Sequence, residues 1–210
     1  GSAPSEILIG IDHIDRSPYG HDDRDELPMA LRQLANPPLL ISGYRFGFLI
    51  GLSTAPSLMS DSNYISPPNH GDLIHLQPSS ETEISNLARK FGIGLQPDAL
   101  ATIEKAVGFH LKLCHDLFAA CKVRGTDVIP TLDAELAKSH SNIFTAHIDY
   151  IRRQMRQDLQ QTYHKVLASG HFPEQPDDAC RKLLRSHLIK KNPDNGRYEP
   201  SCQLYRQLLK

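Results

Sequence analysis

The chain has 210 residues, 40% hydrophobic and 22% charged, which fits an ordinary folded protein of one large domain or two to three small ones. No apolar run is long enough to span a membrane, and Gly1-Ser2-Ala3-Pro4 lacks the basic and apolar regions of a signal peptide, so a cytoplasmic protein without a membrane partner is expected. The net charge of -1 is unevenly spread: residues 1–139 hold 11 Lys+Arg against 17 Asp+Glu, a net of -6, and residues 140–210 hold 12 against 7, a net of +5. That asymmetry suggests different partners for the two parts, and it falls short of the strongly basic surface of a dedicated nucleic-acid binder.

Gly1-Ser2 reads as a cloning scar. The first structured stretch, Ile7-Leu8-Ile9-Gly10-Ile11, is continuously apolar, the pattern of a strand buried on both faces of a parallel sheet. It runs into Asp12, with Asp15 three positions on. A carboxylate at the carboxyl end of such a strand lies at the edge where open α/β sheets hold ligands; the plain alternative is a core strand followed by an Asx turn. Residues 16–26 form a polar loop, and a helix fits 25–35, with Leu27, Leu31 and Leu34 as its stripe and Asn36-Pro37-Pro38 as its stop. A second buried strand is expected over 46–52, ending in Ser53-Thr54. After a loop, Leu73-Ile74-His75-Leu76 predicts a short third strand.

From Ser80 onward the pattern is helical. Ser80-x-x-Glu83 is a capping box, and Ile84, Leu87, Ala88 and Phe91 share one face before Gly92. Pro97 opens a second helix and Gly108 interrupts it; a third follows over 109–124, capped by Gly125, and a short one over about 131–138. Residues 141–169 carry an almost unbroken helical stripe, long enough to predict a break near Arg152. A helix over 177–187 then feeds Leu188–Lys191 and Arg197–Glu199, which flank Pro193-Asp194-Asn195-Gly196, a strong hairpin signal. Ser201 is the expected cap of a last helix. Helix, hairpin and helix in this order are how a winged-helix fold ends, with Arg181, Lys182 and Arg185 on its recognition helix and Lys190, Lys191 and Arg197 on its wing. Cys114, Cys121, Cys180 and Cys202 form no Cys-x-x-Cys pair, and His110 and Cys114 have no second ligand pair to complete a metal site, so reduced, buried thiols are expected.

The order of these elements resembles the back half of an AAA+ or STAND-type P-loop ATPase, over nearly the whole chain. The resemblance implies an α/β plus all-α fold: a partial P-loop ATPase parallel sheet over 5–78, a helical lid over 79–139 and a winged-helix domain over 140–210. It makes Asp12 the Walker B acid that holds nucleotide-bound magnesium, and Asp12-His13-Ile14-Asp15 is similar to the STAND form, in which two acids are separated by two residues. His13 stands where AAA+ members carry a glutamate base, so either hydrolysis is lost or Asp15 polarises the water. Ser53 and Thr54 match sensor 1, the polar group that contacts the γ-phosphate, and Gly108 matches the glycine of the STAND Gly-x-Pro, with His110 in place of the proline.

The 210 residues contain no Gly-x-x-x-x-Gly-Lys-Ser/Thr and no Gly-Lys pair, hence no loop to cradle phosphates. In the family that loop's strand lies between the sensor-1 strand and the last core strand. The resemblance therefore implies a fragment whose intact protein uses ATP and magnesium, while this chain alone binds neither. Its P-loop would come from a missing N-terminal segment or another subunit, and a homo-oligomer is a further expectation. Two alternatives stand beside it. One is a DNA-binding regulator that uses the basic winged helix. The other is a metal-dependent hydrolase built on Asp12, His13, Asp15, His21, Asp22 and Asp23.

Overall fold

The computed structural model describes residues 5–11, 40–41, 44–50, 78–138, 142–169 and 176–209. The chain divides into two compact units, residues 1–75 and 76–210. Among the described residues the protein is mostly helical, with one three-stranded sheet and one two-stranded antiparallel sheet. The helix expected over 25–35 and the strand expected over 73–76 lie outside the described residues.

In the first unit, β1 (Ser5–Ile11) and β3 (Tyr44–Ile50) are the two apolar runs, and β2 (Leu40–Ile41) is a two-residue strand. The sheet order is β1-β3-β2. β1 and β3 pair in parallel from Ser5↔Tyr44 to Ile11↔Ile50, and a parallel pair demands a crossover connection rather than a hairpin. β2 pairs antiparallel with the start of β3, through Leu40↔Arg45 and Ile41↔Tyr44. β3 begins two residues earlier than its periodicity suggests, and the expected residues 51 and 52 lie outside the described ones. Full burial of the first strand is corrected: Leu8 is 71% exposed and Leu49, on the same face, 58%. Ile9, on the opposite face, is 37% exposed. A strand with apolar residues on both sides needs a layer on each, and here solvent reaches both.

The second unit starts with four helices whose boundaries follow local rules. α1 (Glu81–Lys90) has its full capping box: Glu83 N–H donates to Ser80 Oγ at 3.3 Å, and Ser80 N–H donates to Glu83 Oε2 at 2.8 Å. α2 (Pro97–Val107) starts on proline, and α3 (Leu111–Arg124) follows it. Gly108 and Gly125, at φ 66° and 65°, close α2 and α3 in the left-handed conformation that favours glycine. α4 (Val128–Leu136) begins three residues ahead of expectation. α1 packs on α3, and α2 packs on α3 and α4, around Ile84, Ile103, Leu113, Leu117, Phe118 and Leu132, none of which reaches solvent. Cys114 lies in the same core, where burial pushes its thiol up to about 12, and burial likewise raises Cys180 and Cys202 to about 11. All four cysteines are buried free thiols, and the seven-residue spacing points to burial of Cys114 and Cys121.

The remainder comprises α5 (Thr145–Gln154), α6 (Gln157–Ser169), α7 (Asp178–Arg185), β4 (Ile189–Lys191), β5 (Tyr198–Pro200) and α8 (Gln203–Leu208). The long stripe does break, three residues beyond Arg152, where Met155 turns to extended backbone (φ -75°, ψ 114°). Gln160 Nε2 donates to the Met155 carbonyl at 2.9 Å, satisfying an acceptor that left the helical ladder. Asp177 caps α7 by accepting from Cys180 N–H at 2.7 Å. The hairpin forms as its Asn-Gly predicts: Gly196 is at φ 69°, and Asn192 N–H donates to the Arg197 carbonyl at 2.7 Å. Ser201 is not the cap of α8. That position is Cys202, and the Ser201 hydroxyl donates to the His187 carbonyl at 2.5 Å, fastening the end of β5 to the end of α7. α6 packs on α7 and β5, and α8 packs on β5 and back onto α2, so the last helix joins the two parts of this unit.

Candidate functional site

The candidate residues fall into two groups. Asp12, Asp15, Ser53 and Thr54 lie outside the described residues, as do His13, His21, Asp22 and Asp23. The strands that lead to the first four are described. Ile11 and Ile50, the last residues of β1 and β3, are register partners, and both strands run in the same direction. Asp12 follows β1 directly, and Ser53 and Thr54 follow β3 by three and four residues. The carboxyl ends of two adjacent parallel strands thus lie together, the edge at which open α/β sheets bind ligands. β2 occupies the first two positions on the other flank of β3; no other strand pairs on that flank among the described residues.

The second group lies on α7 and the hairpin. Arg181 and Arg185 are four apart on α7 and exposed, and Lys191 and Arg197 are exposed at the two sides of the turn. The other two cations are neutralised within the fold. Lys182 Nζ sits 2.9 Å from Asp178 Oδ2, a hydrogen bond that holds the Asp178 carboxyl below the usual carboxylate range. Lys190 faces its cross-strand partner Glu199 at 3.8 Å. The surface is therefore basic at four points, with carboxylates between them.

Two polar clusters have no counterpart among the expected sites. Glu135 is wholly buried, and its Oε1 accepts from Arg124 at 2.7 Å and Lys138 at 2.6 Å, while Oε2 accepts from Ile143 N–H at 3.0 Å. Burial alone would raise this carboxyl; the bonds from Lys138, Ile143 and Arg124 outweigh it and hold it below its ordinary value. The cluster fastens α3 and α4 to the segment that starts α5. In the second, His147 Nε2 lies 3.0 Å from Tyr205 Oη, joining α5 to α8, and the His110 ring meets His147 edge-on at 4.6 Å between centroids. The Arg152 guanidinium also donates to the Leu208 carbonyl. Lys138, three residues from Glu135, is the only local signal for the first cluster. The second has none, because its members are 37 and 58 residues apart in sequence.

An open depression of about 320 Å³ lies between α2, α4 and α8, with Lys105 and Asp133 among its lining. No group of three or more His, Cys, Asp or Glu side chains among the described residues could hold a metal ion. No helix among them is long and apolar enough to cross a membrane.

A family described as AAA-like domain matches residues 41–210, more than three-quarters of the chain. The protein belongs to the AAA-like domain family. The AAA-like match includes Ser53, Thr54, every described helix and the hairpin, and it begins after β1, so Asp12 and Asp15 lie ahead of it. No curated protein and no solved structure matches this AAA-like chain significantly.

Proposed function

We propose that this AAA-like chain supplies the acid-and-sensor half of a magnesium–ATP-dependent regulatory switch. Asp12 holds magnesium, Asp15 orients the attacking water, and Ser53 and Thr54 contact the γ-phosphate when a P-loop is brought in by another segment or subunit. The observation that carries the reading is the parallel pairing of β1 with β3, which brings the two strand ends that precede these residues side by side. Family membership agrees with a nucleotide-binding ancestry. In this reading residues 79–139 act as a lid, and residues 140–210 are a winged helix serving as output or autoinhibitory module. The intact assembly is the ATP-binding species. With a P-loop-bearing segment or subunit present, Asp12→Asn should abolish the magnesium dependence of nucleotide binding while leaving the urea midpoint of the protein unchanged. Equal magnesium dependence in the wild type and Asp12→Asn would remove Asp12 from the site.

A second reading, a DNA-binding winged helix, draws on the exposed Arg181, Arg185, Lys191 and Arg197. The neutralised Lys182 and Lys190 favour a protein partner instead. Four phosphate contacts on B-DNA would give a log–log salt slope of about -3.6. The switch reading expects no saturable binding of a short duplex below roughly 10 µM at physiological salt, beyond weak nonspecific association. Saturable binding with that slope, lost in an R181A/R185A variant, would establish the DNA reading.

A further inference from the structure

Three histidines from distant parts of the second unit converge where its two parts meet. His110 follows the turn between α2 and α3, where Gly108 and Phe109 both adopt positive φ, 66° and 53°. Non-glycine residues rarely adopt that conformation unless their surroundings impose it. His187, after α7, is a second such residue at φ 56°, and its carbonyl is held by the Ser201 hydroxyl. His147 lies between His110 and Tyr205, 4.6 Å from the first ring centroid and 3.0 Å from the second residue's hydroxyl. Tyr205 is 5% exposed, and burial raises its hydroxyl well above the usual phenol value, so it remains a protonated donor.

We propose that His110, His147 and Tyr205 form a proton-operated latch between the α1–α4 block and the segment from α5 to α8, closed while the imidazoles are neutral and released when they take up protons. In the closed state the Tyr205 hydroxyl donates to the lone pair on His147 Nε2. Protonation at Nε2 turns that acceptor into a donor, so the hydroxyl proton of the buried Tyr205 must find another acceptor, although His147 itself is only half-buried. It also places a cation against the His110 ring.

The groups that face His110 act on it in both directions. His110 is exposed, yet the packing around its ring lowers its pKa; Asp116 opposes this, and His187 and Lys112 add to the lowering. His147 from α5 lies against its ring, with Tyr205 from α8 behind it. Because the folded protein binds a proton on His110 less readily than the unfolded chain does, the contribution of neutral His110 to the latch is complete above the unfolded value of about 6.5 and is lost as pH falls below it. This inference goes beyond the nucleotide reading and does not depend on it.

Hydrogen exchange of the 210-residue chain at pH 7.5 and 5.5, corrected for intrinsic exchange rates, tests the latch. Peptides covering 108–112, 145–150 and 203–208 should lose protection several-fold at the lower pH relative to peptides from the α3–α4 contact. In an H110Q/H147Q variant, the amide introduced at position 147 still offers Tyr205 an acceptor but cannot titrate, so that differential loss should vanish. Unchanged relative protection in the wild type, or the same loss in the variant, would overturn the proposal. Should the variant fail to fold, NMR titration of the wild-type imidazoles decides: coupled titration of His110 and His147 is expected, and two independent titrations near pH 6.5 would overturn it.

Discussion

Replacing Phe144 by alanine will cost the second unit about 3–5 kcal/mol, the range for deleting a fully buried aromatic ring. Phe144 is 0% exposed and is the N-cap residue of α5. Its backbone is satisfied independently of its ring: Asn142 Oδ1 accepts its N–H at 2.9 Å, and its carbonyl accepts from His147 and Ile148 N–H at 3.1 Å each. The loss therefore reports the ring itself, through its lost burial and the cavity it leaves, and not a broken backbone bond. Phe144→Leu, which retains most of the volume, should cost less than half as much. Urea unfolding followed by circular dichroism measures both. Because α8 packs back onto α2, residues 76–210 should unfold in one transition with an unchanged m-value; two separate transitions would contradict this coupling.

Glu135→Ala should cost about 2–4 kcal/mol. Most of that comes from leaving the Ile143 N–H without its acceptor, worth roughly 1–3 kcal/mol for a buried group. The Arg124 and Lys138 pairs add less, since those side chains are 41% and 44% exposed and screened by water; each contributes about 0–1 kcal/mol. Glu135→Gln retains an acceptor for Ile143 and should lose about half as much. The bound carboxylate titrates below its ordinary pKa of 4.5, so its contribution is complete above that pH and disappears as pH falls through the lower folded value. The wild type should accordingly lose its stability advantage over Glu135→Gln progressively on acidification below pH 4.5. An advantage over Glu135→Gln that did not change with pH would show that it does not come from the ionised carboxylate.

The features legible in the sequence are those decided within a few residues. Ser80 and Glu83 satisfy each other across one helical turn, Pro97 can only start a helix, Gly108 and Gly125 take the left-handed conformation that ends one, and Asn195-Gly196 turns a hairpin. Features set by distant partners are not legible. β2 is two residues long and exists only because β3 offers it an edge. Glu135 on a helix looks like a solvated acid until Ile143 and Arg124 close over it. Ser201 has the residue type of a cap but lies within reach of the His187 carbonyl, and the hydroxyl bonds there instead. Asp12, Asp15, Ser53 and Thr54 stand out in the sequence by their place after two apolar strands. Those strands pair in parallel, yet periodicity alone suggests two covered faces, where Leu8 and Leu49 retain exposed surface.

If Asp12, Asp15, Ser53 and Thr54 belong to half of a nucleotide site, its phosphate cradle is not among these 210 residues, and the chain by itself has nothing to hold the phosphates. Calorimetric titration of the chain alone with ATP, with and without magnesium, is the decisive measurement. No magnesium-dependent heat is expected at millimolar ATP; tight, magnesium-dependent binding by this chain alone would contradict the half-site.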